Sequence, residues 1–236
     1  MKLVTYNIHK ARGMDGRTNI NRIADVLTNI NADIIALQEV FSTVDDRPGQ
    51  LEAVASALEM HAAFGCTRHH LGRPYGNAIL SRWPILASFH MDISYGRRED
   101  RGCVRADLKT PDGTLHVFNI HLGTRFFERR HQVRHFLSAR HIQEDLVGPR
   151  VIVGDFNEWI KGLTTRVLSE KFESLNMELH VSRKRTYPGF LPLLHLDHIY
   201  FERPLHIQSA ELIRTRLSKV ASDHLPLSAT FGWKQE

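Results

Sequence analysis

Between Asn77 and Ile120 the chain carries strand-length apolar runs one after another with no helix between them: Asn77–Ser81, Ile85–Ile93, Val104–Leu108 and Leu115–Ile120. Turn signals separate them, namely Trp83-Pro84, the charged run Arg97 to Arg101 and Pro111-Asp112-Gly113. On either side the pattern changes period. Leu3 to Ile8 reads as a strand ending in a polar loop through Gly13 and Gly16. Ile20, Ile23, Val26, Leu27 and Ile30 then recur at helical spacing behind the capping candidates Thr18 and Asn19. Ile34–Leu37 is a short buried strand, and Leu51, Val54, Ala55 and Leu58 mark a helix after Pro48. A charged helix is expected from Glu128 to Leu146 with Val133, Phe136 and Leu137 on its apolar side, followed by strands at Val151–Val153, His198–Phe201, Ile207–Ile213 and Leu227–Phe231. Helices interleaved with runs of consecutive strands favour a layered α/β sandwich over a Rossmann sheet or a barrel, and neither a G-x-G-x-x-G nor a Walker loop occurs.

Composition narrows the class. With 236 residues, 42% hydrophobic and 24% charged, the chain fits one large domain over 1–236 and excludes disordered, collagenous and coiled-coil readings. The 31 Lys+Arg exceed the 26 Asp+Glu by 5, which suits a polyanionic or phosphorylated partner. Cys66 and Cys103 lack C-x-x-C spacing, so a zinc ribbon or disulfide scaffold is not indicated and a reducing compartment is expected. The N-terminus turns polar after a few residues and no apolar stretch approaches a membrane span, so the expected location is cytoplasmic, with no transmembrane segment.

The informative feature is how the apolar strands stop. Asn7 closes the first, Glu39 follows Ile34–Leu37, His121 follows Phe118–Ile120, and Asp155 and Asn157 follow Val151–Val153. Asp197 precedes Ile199–Phe201, and Asp223-His224 precedes Leu225–Leu227. Each alone also reads as an ordinary turn or cap. Together, on strands of one sheet, they would converge on one rim.

These motifs resemble the endonuclease/exonuclease/phosphatase superfamily, with its deoxyribonuclease-I-like fold. In family order they are Tyr6-Asn7-Ile8, Leu37-Gln38-Glu39, Gly76-Asn77-Ala78-Ile79-Leu80-Ser81, Asn119-Ile120-His121-Leu122, Gly154-Asp155-Phe156-Asn157, Leu196-Asp197-His198-Ile199 and Ser222-Asp223-His224-Leu225-Pro226. The resemblance implies a four-layer αββα sandwich of two mixed, largely antiparallel sheets packed face to face, with the active site at one end. It implies a metal-dependent phosphoester hydrolase, phosphodiesterase or phosphatase, that uses direct attack of water. Abasic-site endonucleases of this superfamily carry a tyrosine-containing motif where this chain has Asn119-Ile120-His121-Leu122, so that branch is not indicated.

Phosphoester cleavage needs a cation on a phosphate oxygen, a positioned water and help for the leaving oxygen. Glu39 suits Mg²⁺, with Mn²⁺ as a substitute, since Mg²⁺ takes oxygen donors and often only one or two protein carboxylates. The resemblance sets Asn7 beside Glu39 at the metal and adds Asp223, leaving one ion or two open. Asp155 is expected to orient and deprotonate the water, and Asn157 to hold a non-bridging oxygen. His224 would donate to phosphate, oriented by Asp197, and His121 would be a second donor. Asn77 is expected to contact phosphate or brace the loops, and Arg101 resembles an arginine that meets an extra phosphate oxygen in sphingomyelinase-like relatives.

The substrate class stays open between nucleic acid, a phospholipid headgroup and soluble esters, against a catalytically silent phosphate-binding module. Arg97, Arg98, Arg101 and Arg105, and Arg125, Arg129, Arg130, Arg134 and Arg140, read either as a stripe for a phosphate backbone or as a solvated face. His131 and His135 lack a third ligand and read as surface residues. Thr186-Tyr187-Pro188-Gly189-Phe190 reads as a cleft wall or as packing. No protein partner is indicated.

Overall fold

The computed structural model describes residues 1–44, 48–143, 146–158, 162–176, 185–191 and 193–234. Twelve strands form two six-stranded sheets. The first contains β1 (Lys2–Asn7), β2 (Ile34–Phe41), β3 (His61–His70), β4 (Arg73–Ser81), β11 (Leu205–Leu212) and β12 (Leu227–Trp233), in the order β11-β12-β1-β2-β4-β3. The second contains β5 (Ile85–Asp92), β6 (Gly102–Thr110), β7 (Gly113–His121), β8 (Arg150–Asp155), β9 (Glu173–Ser174) and β10 (Asp197–Phe201), in the order β5-β6-β7-β8-β10-β9.

Each sheet has one parallel pair, β1 with β2 and β7 with β8, and is otherwise antiparallel. A parallel pair needs a crossover, and helices supply it. Helix α1 (Ile20–Ile30) links the first pair; α3 (Phe126–Ser138) and the short α4 (Arg140–Gln143) link the second. Asn19 caps α1, its side chain accepting from the Arg22 N–H. Helix α2 (Gln50–Leu58) covers the first sheet beside α1, α5 (Leu163–Ser169) covers the second, and α6 (Ser218–Ala221) precedes β12.

Three apolar clusters make this a four-layer αββα sandwich. Leu3, Ile34, Ile79, Val104, Val117, Val153 and Leu227 are among those filling the space between the sheets. Ile23, Val26, Leu27, Ile35 and Leu37 seal α1 to the first sheet, while Phe118, Val133, Phe136 and Ile152 seal α3 to the second. Each fully buried side chain of this size contributes about 1.5–3 kcal/mol.

Among the described residues, polar side chains bridge the two sheets toward the end of the strands that carries the motifs. Gln38 Nε2 donates to Asn119 Oδ1 at 2.7 Å and to Thr5 Oγ1 at 3.1 Å, while Asn119 Nδ2 donates to the carbonyls of Leu37 and Ala78, both at 2.8 Å. Gln38 and Asn119 are wholly buried. Nearby, Asn77 Nδ2 on β4 donates to the Gly102 carbonyl of β6 at 2.8 Å.

Several local expectations need correction. The strand expected to stop at Leu37 continues to Phe41, because a bulge between Leu37 and Val40 admits an extra residue opposite β4. The helix expected from Glu128 to Leu146 ends at Ser138, with Ala139 extended before α4; positions 144 and 145 lie outside the described residues. There Ser138 Oγ donates to the His135 carbonyl, a local bond that competes with helix continuation. Strand β3 and helix α5 carry too little apolar periodicity to be read from sequence.

The amide bridge makes a stability prediction. Asn119→Ala should remove the shortest of the Gln38 amide's hydrogen bonds and the side-chain donor to two strand carbonyls, and cost about 2–4 kcal/mol in urea unfolding. A half-buried control, Thr114→Ala on the outer end of β7, should cost far less.

Candidate active site

The parallel pairs put their C-terminal ends at the same end of the sandwich. In the first sheet Asn7 stands opposite Gln38, next to Glu39; in the second, His121 stands opposite Asp155, which stands opposite Asp197 on β10. Asp155 is the hub and is only 1% exposed. Its Oδ2 accepts from Asn7 Nδ2 at 3.0 Å and lies 3.5 Å from His121 Nε2 and 3.6 Å from His224 Nε2. Its Oδ1 accepts from the Asn157 backbone N–H at 2.9 Å. The preceding Gly154 has φ +142°, and a Cβ there would stand 1.9 Å from the Ile120 carbonyl oxygen, so the turn that delivers Asp155 requires glycine.

The two histidines differ in charge. His224 Nδ1 sits 3.0 Å from Asp197 Oδ2. Burial alone would lower its pKa, but Asp197, Asp155 and Asp223 together raise it to about 10, so it is an imidazolium at neutral pH. His121 is the reverse: burial and the Arg101 charge outweigh Asp155 and Glu39 and hold it down at about 4. Arg101 Nη1 lies 3.2 Å from His121 Nδ1, and since a guanidinium only donates, Nδ1 accepts and the ring proton belongs on Nε2, toward Asp155. The second Arg101 nitrogen is held by Glu99 at 2.8 Å.

Glu39 occupies the β2 bulge with φ +59°, a left-handed conformation that aims its side chain out of the pleat and costs about 1–3 kcal/mol for a residue with a Cβ. Its carboxylate receives Lys10 Nζ at 2.8 Å and, more distantly, Asn7 Nδ2 at 3.4 Å. Burial would raise its pKa, but His121 when it is protonated in acid, the Lys10 charge and hydrogen bonds from Lys10 and Tyr75 hold it well below the ordinary carboxylate range.

Lys10 reaches Glu39 because His9, Lys10 and Ala11 all take positive φ, +46°, +58° and +57°, making a left-handed turn straight after Asn7. Gln50 at the start of α2 pins that turn, its Nε2 donating to the Lys10 carbonyl at 2.6 Å. The same turn sets His9 Nδ1 3.6 Å from Asp223 Oδ2.

The structure thus brings Asn7, Glu39, His121, Asp155, Asn157, Asp197 and His224 into one constellation, with Asp223 at its edge through His9. Asn157, also left-handed at φ +49°, donates through Nδ2 to the Leu122 carbonyl at 2.9 Å and lies 3.3 Å from His121 Nε2. Asn77 lies one layer back, bracing Gly102, and Arg101 stands behind His121.

Two expected surface arginines are internal. Arg105 is buried in a bidentate pair with Asp107 at 2.7 and 2.9 Å, and Arg129 is buried with Nη1 donating to the Thr124 carbonyl. Gln132 accepts from the Gly123 N–H, so α3 clamps the loop that follows His121. His131 packs on Tyr95. Tyr187 lies 5.0 Å from the His224 ring, so the 186–190 loop borders the site. Sequence reading missed Lys10, His9, Tyr75 and Gln50; only the basic His9-Lys10 pair beside Asn7 hinted at them.

For a metal, the donor chemistry matters more than numbers of ligands. Among the described residues no three His, Cys, Asp or Glu side chains form a metal-holding cluster. Asn7 turns its amide nitrogen toward the two carboxylates and its oxygen toward the His9 N–H. The firmly deprotonated Glu39 is an oxygen donor that suits a hydrated Mg²⁺ rather than a soft metal, and Asp223, held at the edge of the constellation by His9, is a second carboxylate at this end. A groove of about 880 Å³ lined by Arg150, Phe172, Glu202 and Trp233 lies at the opposite end of the strands, where Arg150 is already paired with Glu202.

Residues 4–224 match the Endonuclease/Exonuclease/phosphatase family. The chain belongs to that family. Across 242 aligned positions it is 29% identical to the uncharacterized protein YbhP of Escherichia coli, spanning 97% of this chain and 94% of that protein. Its fold matches an endonuclease/exonuclease/phosphatase family protein from Bacteroides thetaiotaomicron with a TM-score of 0.83 at 18% identity, covering 100% of this chain and 98% of that one. It also matches the mannosyl-6-phosphatase Bt3783 of the same organism (TM-score 0.81, 18% identity, 99% and 100% covered). The human Nocturnin catalytic domain with bound sulfate matches at a TM-score of 0.76 and 19% identity, with 99% and 94% covered.

The opposed histidines predict a peaked stability profile. His121 and His198 are both held down at about 4, His198 by burial, against about 6.5 unfolded, so the unfolded chain takes up their protons first and stability falls as pH drops from about 6.5 toward 4. His224, raised to about 10, contributes fully below 6.5 and loses that contribution as pH rises toward 10. The melting temperature, followed by scanning fluorimetry, should therefore peak near 6.5, and Asp197→Asn should flatten the alkaline side.

Proposed function

We propose that the protein is a Mg²⁺-dependent phosphoester hydrolase that works by direct attack of water, with no covalent enzyme intermediate. The observation that carries this reading is Asp155 Oδ2, set between a neutral and a charged imidazole within 3.6 Å of each. A carboxylate so placed accepts a proton from a water aimed at phosphorus, and His224 offers a charged N–H to the phosphate oxygens as negative charge builds there. Asp197 fixes the His224 ring and sustains its charge. His121, kept neutral by burial and Arg101, presents Nε2–H from the other side. Asn7 bridges the Asp155 and Glu39 carboxylates, so a shift in either is felt by both.

Glu39 would hold the Mg²⁺, with Asp223 as a further carboxylate on the His9 side of the site, and the ion's role when bound is to polarise a phosphate oxygen and the nearby water. Lys10 keeps Glu39 neutralised and brings a second positive charge to where a phosphate would dock. Bt3783 and sulfate-bearing Nocturnin support the reading by showing the scaffold paired with phosphatase action and with a tetrahedral anion in other proteins. Neither identifies this chain's ester. A silent binding module would not need a buried carboxylate between a neutral and a cationic histidine.

Asp155→Ala should lower kcat on a soluble diester such as bis(p-nitrophenyl) phosphate by about 10²–10⁴-fold with little change in KM, and chelation should abolish turnover until Mg²⁺ or Mn²⁺ is restored. Unchanged activity in either experiment contradicts the mechanism. Lys10→Met should tighten Mn²⁺ binding by about tenfold in titrations followed by electron paramagnetic resonance, because it removes a like charge from Glu39, and should raise KM for the ester.

A further inference from the structure

The large apolar side chains left exposed are not spread evenly. Among the described residues twelve are exposed, and nine of them sit on the loops and helix ends at the active-site end of the strands. Phe126 and Phe127 open α3 directly after the His121 loop, 48% and 72% exposed, with their rings edge to face at 5.5 Å. Phe190, Leu191 and Leu193 follow Tyr187, which lies against His224, and Gly189 N–H donates to the Asp223 carbonyl. Val220 is on α6, two residues before Ser222. These groups come from three separate connections and bury nothing of the chain's own core.

The charge at this end is positive. Arg97, Arg98, Arg125, Arg185 and Arg216 are exposed on the same loops. Of the acidic neighbours, Asp15 is paired with Arg22 and Glu99 with Arg68 and Arg101, Asp92 accepts from the Ser94 N–H, and Asp100 is exposed on the loop that carries Arg97 and Arg98. Protruding aromatic and aliphatic side chains set among arginines are what an interfacial enzyme presents to lipid: the apolar tips enter the acyl boundary and the arginines meet phosphate headgroups. A nucleic acid would use the arginines but gains nothing from Leu191, Leu193 and Val220. We infer that the rim of the active site docks on an anionic bilayer surface, which rests on the proposed hydrolase reading and directs it to phosphoesters in or at lipid membranes.

The test is co-sedimentation of the full chain with phosphatidylcholine vesicles and with vesicles of phosphatidylcholine and phosphatidylglycerol. The chain should pellet with the anionic vesicles, weakly with the neutral ones, and release partly in salt. Phe126→Ser/Phe127→Ser and, separately, Phe190→Ser/Leu191→Ser should each weaken partitioning by at least about tenfold. Leu86→Ser/Val147→Ser, exposed elsewhere, should not; circular dichroism checks that all three remain folded.

No pelleting on anionic vesicles, partitioning of both rim variants as strong as that of the unsubstituted chain, or binding to single-stranded DNA in place of vesicles overturns the inference. Hydrolysis of bis(p-nitrophenyl) phosphate should survive in both rim variants. Intact hydrolysis without vesicle binding sinks the docking surface alone, whereas vesicle binding without hydrolysis sinks the enzymatic reading and leaves the surface standing.

Discussion

The two sheets meet through an apolar layer that resists sliding only weakly by itself, since hydrophobic contact has no direction. The bond from Gln38 to Asn119 supplies direction. It crosses from β2 to β7 between two wholly buried amides, and misalignment by one residue would break it together with the Asn119 bonds to the Leu37 and Ala78 carbonyls. Because Glu39 follows Gln38 and His121 lies two residues beyond Asn119, the bond that sets the relative position of the sheets also sets the distance between the two halves of the site. Asn7 to Asp155 and Asn77 to Gly102 repeat the device above and beside it.

What the frame holds is an electrostatic gradient. From Arg101 through His121, Asp155 and His224 to Asp197, cationic or neutral donors alternate with carboxylates, and solvent reaches almost none of them. Taking these charges out of water is costly, and each is tolerated because its neighbour is of opposite sign or hydrogen-bonded to it. The left-handed residues at Glu39, Asn157 and His9–Ala11 add local strain at the same end. Strain and desolvation concentrated in one place mark the part of the molecule shaped for chemistry rather than for stability.

Much of this was legible beforehand. Period alone places α1 and the central strands, and the polar residues that halt those strands are the ones that meet. What could not be read was whatever depends on contacts between distant segments. Strand β3 is an edge strand with histidines, an arginine and glycine on half-exposed faces, so its alternation is faint. The bulge that carries Glu39 has no glycine to betray it. Nor does the turn through Lys10, whose lysine and alanine adopt a backbone usually left to glycine. Arg105 and Arg129 look like surface charge until their partners, Asp107 and the Thr124 carbonyl, are brought to them. Arg101 is similar: its guanidinium tunes His121 from behind.

Strand β1, which ends in Asn7, is hydrogen-bonded along one side by β12, and Ser222 Oγ donates to the Asn7 carbonyl across 215 positions of sequence at 2.8 Å. The earliest strand of the sheet thus waits for the latest one. While the polypeptide is being made, β1 and β2 can pair, but His224, which completes the constellation, and β12, which locks Asn7, follow only after β10 and β11. The polar constellation is therefore complete only when β1 and β2 have been joined by the segment that carries Ser222, His224 and β12.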